Sequence, residues 1–207
     1  MVLKLNELNQ IINADCNDIM ATIPDKYFEL AIVDPEFGIG IGNSARLVTD
    51  KNLPAKEWDN KPIDDNYFIE LKRISQNQII WGGNYYNLGI TKHCIIWDKQ
   101  QPENLSFGMF DFAWTSYSTS NKIFRHPVRN SEIKIHPTQK PVALYRWLIQ
   151  NYAKTGDKII DTHSGSGSLA CACHLEKFDF LAIEKDADYH KSSYERLETL
   201  RSQGTLF

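Results

Sequence analysis

Apolar, β-branched and aromatic residues recur in short runs along the chain, and polar or glycine-containing turns bound each run. Runs of this length and composition are typical of strands that are buried in a sheet. We predict strands at Gln10–Asn13, Leu30–Asp34, Gln78–Gly82, His93–Asp98, Asp111–Tyr117, Lys158–Thr162 and Phe178–Glu184.

Helical patterns, in which apolar residues return every three or four positions, separate several of these strands. They predict helices at Asn66–Gln76, Val142–Ala153, Ser168–Glu176 and Ala187–Ser202. Strands that alternate with helices favour an α/β fold, with a mostly parallel sheet and helices on both faces.

Length and composition limit the organisation of the chain. Its 207 residues suffice for one well-buried core, and we predict a single domain over residues 1–207. Hydrophobic residues make up 42% of the chain, but no apolar run approaches the ~20 residues of a membrane helix. We therefore expect a soluble protein that does not bind membranes. Because Met1–Asn6 lacks a secretory pattern, we expect a cytoplasmic location.

The formal net charge of −3 argues against a protein that coats nucleic acid by charge alone. A nucleic-acid site would therefore be a local patch, and the best candidate is the short basic segment 118–135. This segment contains Lys122, Arg125 and Arg129, although a solvated loop has the same composition. A second polar stretch, Asn43–Pro62, predicts a mobile loop next to an active site.

The four cysteines, Cys16, Cys94, Cys171 and Cys173, do not make a disulfide framework in a chain of this length. Cys171, Cys173 and His174 are close in sequence, but on a helix Cys173 faces away from Cys171, and no second ligand pair has zinc spacing. We therefore predict no metal site and interpret the cysteines as small buried residues.

Residues 158–168 have the pattern of a strand, a tight turn and the start of a helix. Gly165 and Gly167 lack Cβ atoms, so they permit positive φ angles and let a ligand lie against the backbone. The helix that follows presents free N–H groups to negative charge. Asp161 ends this strand and Glu184 ends the next one, where a carboxylate can accept hydrogen bonds from both hydroxyls of a ribose.

This turn alone does not identify the ligand. Gly165-x-Gly167-x-x-Ala170 also matches the dinucleotide fingerprint, which would indicate a nicotinamide-dependent oxidoreductase. A glycine turn without any ligand is the third interpretation, so other motifs must decide.

A buried strand at residues 30–34 ends at an acid, a proline and an aromatic ring, Asp34, Pro35 and Phe37. An acid and a proline after a strand can form a simple turn. This segment, however, resembles the catalytic motif of the DNA amino-methyltransferases, which is Asp, Asn or Ser followed by Pro-Pro and an aromatic residue. The resemblance implies that Asp34 and the Pro35 carbonyl accept hydrogen bonds from the amino group of the target base, whose nitrogen attacks a sulfonium methyl group. Phe37 would stack on the base. Glu36 stands in place of the second proline, so a catalytically degenerate binding module is an alternative.

Other segments resemble the same family. Residues 135–141 resemble its motif before the methionine-binding helix, and residues 13–16 resemble its segment that binds the cofactor adenine. Residues 79–86 and 112–116 resemble its strands that line the base pocket. The resemblance implies S-adenosylmethionine as the cofactor, with ligands at Asp15, Cys16, Asp34, His136, Thr138, Lys140, Asp161, Ser164, Gly165, Gly167, Ser168 and Glu184.

The catalytic strand precedes the glycine turn, which is the order of the β group of this family. The resemblance therefore implies a circularly permuted Rossmann-like methyltransferase fold, a seven-stranded sheet with one antiparallel strand, and frequent homodimers. This group inserts a recognition domain before the motif at residues 136–141, and segment 118–135 is too short for one. Recognition is then expected from Lys122, Arg125 and Arg129, from residues 43–62, or from a partner, unless it is relaxed.

Together the motifs indicate a DNA methyltransferase that flips its target nucleotide and methylates an exocyclic amino group. Two motifs in the family's order favour this interpretation over an oxidoreductase. Asp34, where other members have Ser, favours adenine N6 as the target, and cytosine N4 is the alternative.

Overall fold

The computed structural model describes residues 7–40, 56, 59–104, 108–128 and 132–204. Its strands are β1 Gln10–Asn13, β2 Phe28–Val33, β3 Ser75–Trp81, β4 Cys94–Asp98, β5 Phe110–Thr115, β6 Lys122–Arg125, β7 Lys158–Asp161 and β8 Asp179–Glu184. Its α-helices are α1 Cys16–Met20, α2 Asp65–Ile74, α3 Val142–Tyr152, α4 Ser168–Glu176 and α5 Ala187–Ser202.

These strands join one sheet in the order β1-β8-β7-β2-β3-β5-β4-β6. Strand β5 runs antiparallel to its neighbours β3 and β4, and the other neighbouring strands are parallel. The predicted α/β methyltransferase fold, with its mostly parallel sheet and helices on both faces, is confirmed.

In the parts of the chain that the structure describes, the sheet has eight strands where we predicted seven. The additional strand, β6, pairs with the outer side of β4 within the segment predicted to be a basic loop. Phe124 of β6 packs against Trp147 of α3 at a ring-centroid distance of 5.4 Å. This contact covers one face of a four-residue edge strand. Lys122 and Phe124 are therefore half-buried, whereas Ile123 and Arg125 on the other face are exposed.

Strand β2 shows how the sequence divides its side chains between the two faces. Leu30 and Ile32 pack into the core formed with α3, α4 and α5, whereas Ala31 and Val33 pack into the core formed with α1 and α2. All four are buried, which is why this central parallel strand reads as one continuous apolar run.

The carboxyl ends of β1, β2, β3, β7 and β8 lie at one edge of the sheet, which we call the carboxyl edge. Because β5 is antiparallel, its first residues lie at the same edge. The residues that follow these strands therefore converge there, although they are far apart in sequence. None of the helices in the described part of the chain is long and apolar enough to cross a membrane.

Candidate active site

Asp34 directly follows β2 and lies at the carboxyl edge. The amino group of Lys140 contacts its Oδ2 atom. Its Oδ1 atom is buried and has no hydrogen-bond partner within the described residues. Burial raises the pKa of Asp34, and the adjacent Lys140 ammonium opposes this shift. One oxygen of the carboxylate is therefore held in place, while the other retains its capacity as an acceptor.

Lys140, which precedes α3, is only 5% exposed. Its Nζ atom lies 4.0 Å from Oδ2 of Asp111 and 5.3 Å from the ring centroid of Trp81. Asp111 also pairs with Lys99 at 2.6 Å. The sequence predicted a cofactor ligand at Lys140, and the structure places its amino group against the catalytic motif.

Pro35 and Phe37 of the motif contact aromatic side chains that follow β3. The Tyr86 hydroxyl donates a hydrogen bond to the Pro35 carbonyl at 2.9 Å. The Phe37 ring stacks on Tyr85, with centroids 4.9 Å apart and planes 10° apart. A Cβ atom added to Gly82 would lie 2.1 Å from Cε1 of Phe37. The predicted stacking ring is thus held by tight packing against Gly82 and already belongs to an aromatic pair.

Asp59 supports the catalytic loop, and sequence reasoning missed it. This residue is 1% exposed, and its carboxylate accepts a hydrogen bond from the Gly38 N–H at 2.8 Å. Phe37 and Pro62 form an antiparallel bridge beside it. Asp59 lies in a polar stretch that is typical of a solvated loop, so no local signal distinguished it.

Glu36, which replaces the second proline of the motif, makes a buried contact. Its carboxylate lies 3.1 Å from Nε2 of His163 in the glycine turn. Burial acts to lower the pKa of His163, but the Glu36 carboxylate offsets this effect, and the pKa is raised well above its ordinary value. Burial acts to raise the pKa of Glu36, but His163 lowers it overall. An ion pair therefore joins the catalytic loop to the glycine turn.

His163 also contacts two other elements. Its Nε2 lies 3.9 Å from the thiol of Cys16. Its Nδ1 lies 3.0 Å from the Thr162 hydroxyl, which lies 2.6 Å from the hydroxyl of Tyr67 in α2. Cys16 was predicted as a cofactor ligand, and the structure places its thiol beside this imidazole.

The glycine turn is fixed by the carboxylate of Glu184. This carboxylate accepts hydrogen bonds from the Gly165 N–H at 2.7 Å and the Asp186 N–H at 2.8 Å. Gly165 and Gly167 have φ angles of +50° and +70°, so both adopt the left-handed conformation that the sequence predicted. The Ser164 hydroxyl is buried and has no hydrogen-bond partner in the described parts of the chain.

Asp161 and Ser168 lie on either side of this turn. The Asp161 carboxylate accepts a hydrogen bond from the His163 N–H at 3.1 Å, and burial raises the pKa of Asp161 to about 7. The Ser168 hydroxyl accepts from Arg196 of α5 at 3.0 Å. Arg196 also pairs with Glu132 at 2.7 Å, which links the basic segment to the start of α4.

His136 closes the other side of the turn. A Cβ atom on Gly165 would lie 3.6 Å from its ring, and the ring centroid of Tyr189 is 4.3 Å away. The Thr138 hydroxyl lies 3.2 Å from Nδ1 of His136. Burial, with the Lys140 charge, lowers the pKa of His136 to about 3, so the ring is neutral at physiological pH.

Asp15 begins α1 at the end of β1. Its carboxylate accepts a hydrogen bond from the Asn17 N–H at 3.0 Å and pairs with Lys185 at 2.7 Å. It lies at the carboxyl edge beside the end of β8, where the sequence predicted the adenine-binding end of the cofactor site.

The predicted DNA contacts lie on β6 and beyond it. Lys122 donates a hydrogen bond to Asn151 at 2.6 Å, whereas the side chain of Arg125 is 62% exposed and lies 3.4 Å from Asp98. Arg129 lies outside the described residues.

Of the predicted loop, Asn43–Pro62, the structure describes residue 56 and residues 59–62. Lys56 pairs with Asp186 at 2.5 Å and with Asp188 at 2.8 Å. Lys56 therefore lies beside the start of α5, and the loop's position next to an active site stays a prediction.

Within the described residues, the arrangement brings a carboxylate with an unpartnered buried oxygen, an aromatic pair and a glycine turn to one edge of the sheet. The catalytic motif, residues 34–37, contacts the glycine turn through Glu36 and His163 and contacts residues 136–141 through Lys140. Such a site can bind a ribose-containing ligand and, beside it, a planar group that carries N–H donors.

The chain resembles known DNA-modifying proteins. Residues 44–195 match the profile of a family described as DNA methylase. The protein named "Putative methylase YubD" in Escherichia coli (strain K12) is 21% identical over 218 residues, which cover 94% of this chain and 92% of that protein. The crystal structure of the M1.HpyAVI–SAM complex has a TM-score of 0.62 at 18% identity and covers 91% of this chain and 98% of its own. The cytosine-N4-specific PvuII DNA methyltransferase has a TM-score of 0.61 at 12% identity, over 93% of this chain and 91% of its own.

Proposed function

The chain belongs to the DNA methylase family of N6 and N4 methyltransferases, and we propose that it transfers a methyl group from S-adenosylmethionine to the N6 amino group of adenine in DNA. The bound cofactor supplies a methyl group on a positively charged sulfur, which a neutral amine can attack. The residues at the carboxyl edge would bind the two reactants and hold them in line.

The glycine turn suits the cofactor. The Ser164 hydroxyl is buried without a partner among the described residues, so it is available to a ligand. Each Glu184 oxygen accepts one backbone N–H and retains a lone pair, which supports the predicted bond to a ribose hydroxyl. The neutral ring of His136 borders Gly165 and adds no charge near a cationic sulfur. The other proposed cofactor ligands are Asp15, Cys16, Asp34, Thr138, Asp161, Gly165, Gly167 and Ser168. Lys140, which the sequence predicted as a further ligand, contacts Asp34 instead.

The observation that carries the proposal is the buried Oδ1 atom of Asp34, which has no hydrogen-bond partner among the residues that the structure describes. A buried carboxylate oxygen without a partner is costly unless a ligand supplies a donor. An exocyclic amino group supplies one N–H to Asp34 and a second to the Pro35 carbonyl, which has a lone pair left beside Tyr86. These bonds would localise the nitrogen lone pair and direct it toward the methyl group, while Phe37 holds the ring of the base. The new N–C bond would form as the S–C bond breaks, S-adenosylhomocysteine would leave, and the methylated nitrogen would release one proton to water.

Adenine is proposed as the target because Asp34, and not Ser, occupies the first position of the motif. Cytosine N4 is the second candidate, since the PvuII enzyme has the same fold and is cytosine-N4-specific. Both bases present an exocyclic amino group, so one arrangement of acceptors serves either of them.

The target base would leave the duplex, because an amino group inside the base stack cannot align with the methyl donor. Lys122 and Arg125 lie on edge strand β6, and together with Arg129 they are the proposed DNA contacts. A homodimer stays a prediction.

Glu36, which replaces the second proline of the motif, is the residue that suggests a catalytically degenerate binding module. Its carboxylate is largely buried and paired with His163. A glutamate that had replaced proline without acquiring a function would be expected to face solvent. This pairing favours an adapted site over a degenerate one.

The test is transfer from isotopically labelled S-adenosylmethionine to unmethylated genomic DNA, followed by digestion to nucleosides and mass spectrometry. We expect labelled N6-methyldeoxyadenosine. Labelled N4-methyldeoxycytidine would overturn the adenine assignment and keep the family chemistry. Cofactor binding without any labelled nucleoside would support the degenerate module.

A further inference from the structure

Lys140 is a buried cation between two carboxylates. Its amino group contacts Asp34 and lies 4.0 Å from Asp111, which also pairs with Lys99 at 2.6 Å. The residue is 5% exposed, and a lysine that deep is kept only where its charge is neutralised. Asp34 and Asp111 therefore neutralise the charge of Lys140 and allow its amino group to be buried.

Asp34 depends on this amine in turn. Burial acts against its ionised form, and the Asp111 carboxylate adds to that effect. The buried carboxyl group of Asp161 also interacts with Asp34. Opposing them are the cations Lys140 and His163, of which Lys140 has the larger influence and makes the direct contact. The phenols of Tyr86 and Tyr145, whose pKa values are raised, also interact with Asp34.

The two oxygens of Asp34 are not equivalent. Lys140 contacts Oδ2, and Oδ1 has no hydrogen-bond partner in the described portions of the chain. A carboxylate held at one oxygen cannot rotate freely, so its second oxygen has a fixed direction.

We propose that Lys140 is a positioning residue for methyl transfer: it keeps Asp34 ionised and fixes its orientation, so that Oδ1 accepts the hydrogen bond from the target amine. This inference rests on the proposed function of Asp34. Lys140 acts through Asp34 and does not touch the base.

The proposal predicts that Lys140 matters only while position 34 carries a charge. Asparagine has a similar shape and a carbonyl acceptor, but it needs no cation to remain an acceptor. In an Asp34→Asn background, replacing Lys140 should therefore have little further effect on the transfer step.

The experiment compares wild type, Lys140→Met, Asp34→Asn and the double variant. Single-turnover methyl transfer to DNA is measured between pH 5.5 and 9. In Lys140→Met, the fall in rate at acidic pH should begin about one to three pH units higher than in wild type. An opposite charge at contact distance lowers the pKa of a carboxyl group by this amount, and the substitution removes that charge. In Lys140→Arg, the fall in rate at acidic pH should occur near the wild-type pH, because the positive charge is retained. In the Asp34→Asn background, Lys140→Met should change the rate less than about threefold.

A titration of the Asp34 carboxyl carbon by NMR, assigned with Asp34→Asn, supplies a readout that needs no catalysis. We expect the pKa of Asp34 to rise in Lys140→Met. An unchanged titration, or a rate loss that is equal at every pH and in both backgrounds, would overturn the proposal and make Lys140 a cofactor ligand or a structural residue. If wild type transfers no methyl group while the titration shifts as expected, the proposed function fails and the role of Lys140 toward Asp34 stands.

Discussion

Two regions of the carboxyl edge differ in how they hold their charged side chains. In the catalytic region, Asp34 contacts Lys140 and Glu36 contacts His163, and all four side chains are largely buried. On β6, by contrast, the side chain of Arg125 is 62% exposed.

These regions are the proposed sites of methyl transfer and of DNA recognition, and their ion pairs differ in strength. Removing one partner of a buried ion pair costs about 3–5 kcal/mol, whereas an exposed pair contributes about 0–1 kcal/mol. We therefore expect substitutions in the catalytic region to have large effects, some of them dependent on pH. Substitutions on β6 should have small effects that depend on salt.

Outside the Asp34–Lys140 pair, the largest effect is expected from Gly82→Ala. Gly82 has a φ of +67°, and the added methyl group would overlap the ring of Phe37. Displacing a substrate-positioning ring by about 1 Å should lower kcat about 100-fold. Gly89→Ala is the matched control, because Gly89 has a φ of +84° and open space around the position of a Cβ. Equal losses in the two variants would attribute the effect to the backbone and not to Phe37.

Glu184→Gln should weaken cofactor binding about tenfold, because a charged acceptor is lost and hydrogen bonds to charged groups contribute about 1.5–3 kcal/mol. Isothermal titration with S-adenosylmethionine measures the change. Glu195→Gln, on the exposed face of α5, should bind as wild type does. Unchanged affinity in Glu184→Gln would remove this residue from the cofactor site.

Glu36→Gln tests the pair with His163 through stability. The folded-state pKa of His163 is raised above 6.5, so its contribution is complete below that pH and is lost as pH rises through the raised value. The folded-state pKa of Glu36 is lowered from 4.5, so its contribution is complete above that pH and is lost as pH falls through the lowered value.

Wild type should therefore exceed Glu36→Gln most between pH 4.5 and 6.5, by about 2 kcal/mol in the free energy of unfolding. Urea denaturation at pH 6 and at alkaline pH measures the difference, which should shrink as the pH rises. A constant difference would show that packing, and not the ion pair, makes the contribution.

The smallest effect is expected from Arg125→Ala, which should weaken DNA binding about threefold. It should also reduce by about one the slope of the logarithm of affinity against the logarithm of salt concentration. Fluorescence anisotropy with a labelled duplex gives both values. The control is Lys191→Ala on the exposed surface of α5, which should leave the slope unchanged. Equal slopes for wild type and Arg125→Ala would exclude a phosphate contact.

The fold was largely predictable because its central strands are apolar runs and its longer helices have clear periods. One strand and one α-helix were missed for physical reasons. Strand β6 has four residues with a charge at each end, and α1 has five, which is too short for a helical period to show. The end of α2 was placed beyond Ile74, since Ser75 passes directly from the helix into β3.

The candidate site was predictable where its chemistry lies in consecutive residues, as in the motifs at Asp34–Phe37 and at the glycine turn. Its supporting contacts were not. Asp59, the contact of Lys140 with Asp34, and the pair of Glu36 with His163 all join residues that only the folded sheet brings together. No local pattern indicates such partners, because their pairing depends on strand order.

The central claim is that Asp34 activates the target amine. The direct measurement is single-turnover methyl transfer to the same unmethylated DNA by wild type and Asp34→Ala, with cofactor affinity measured on both proteins. We predict that the rate falls by about 100- to 1,000-fold, the effect of losing one stabilising hydrogen-bond partner in a transition state, while cofactor affinity changes less than about tenfold. An Asp34→Ala variant that methylates DNA as fast as wild type would contradict the account.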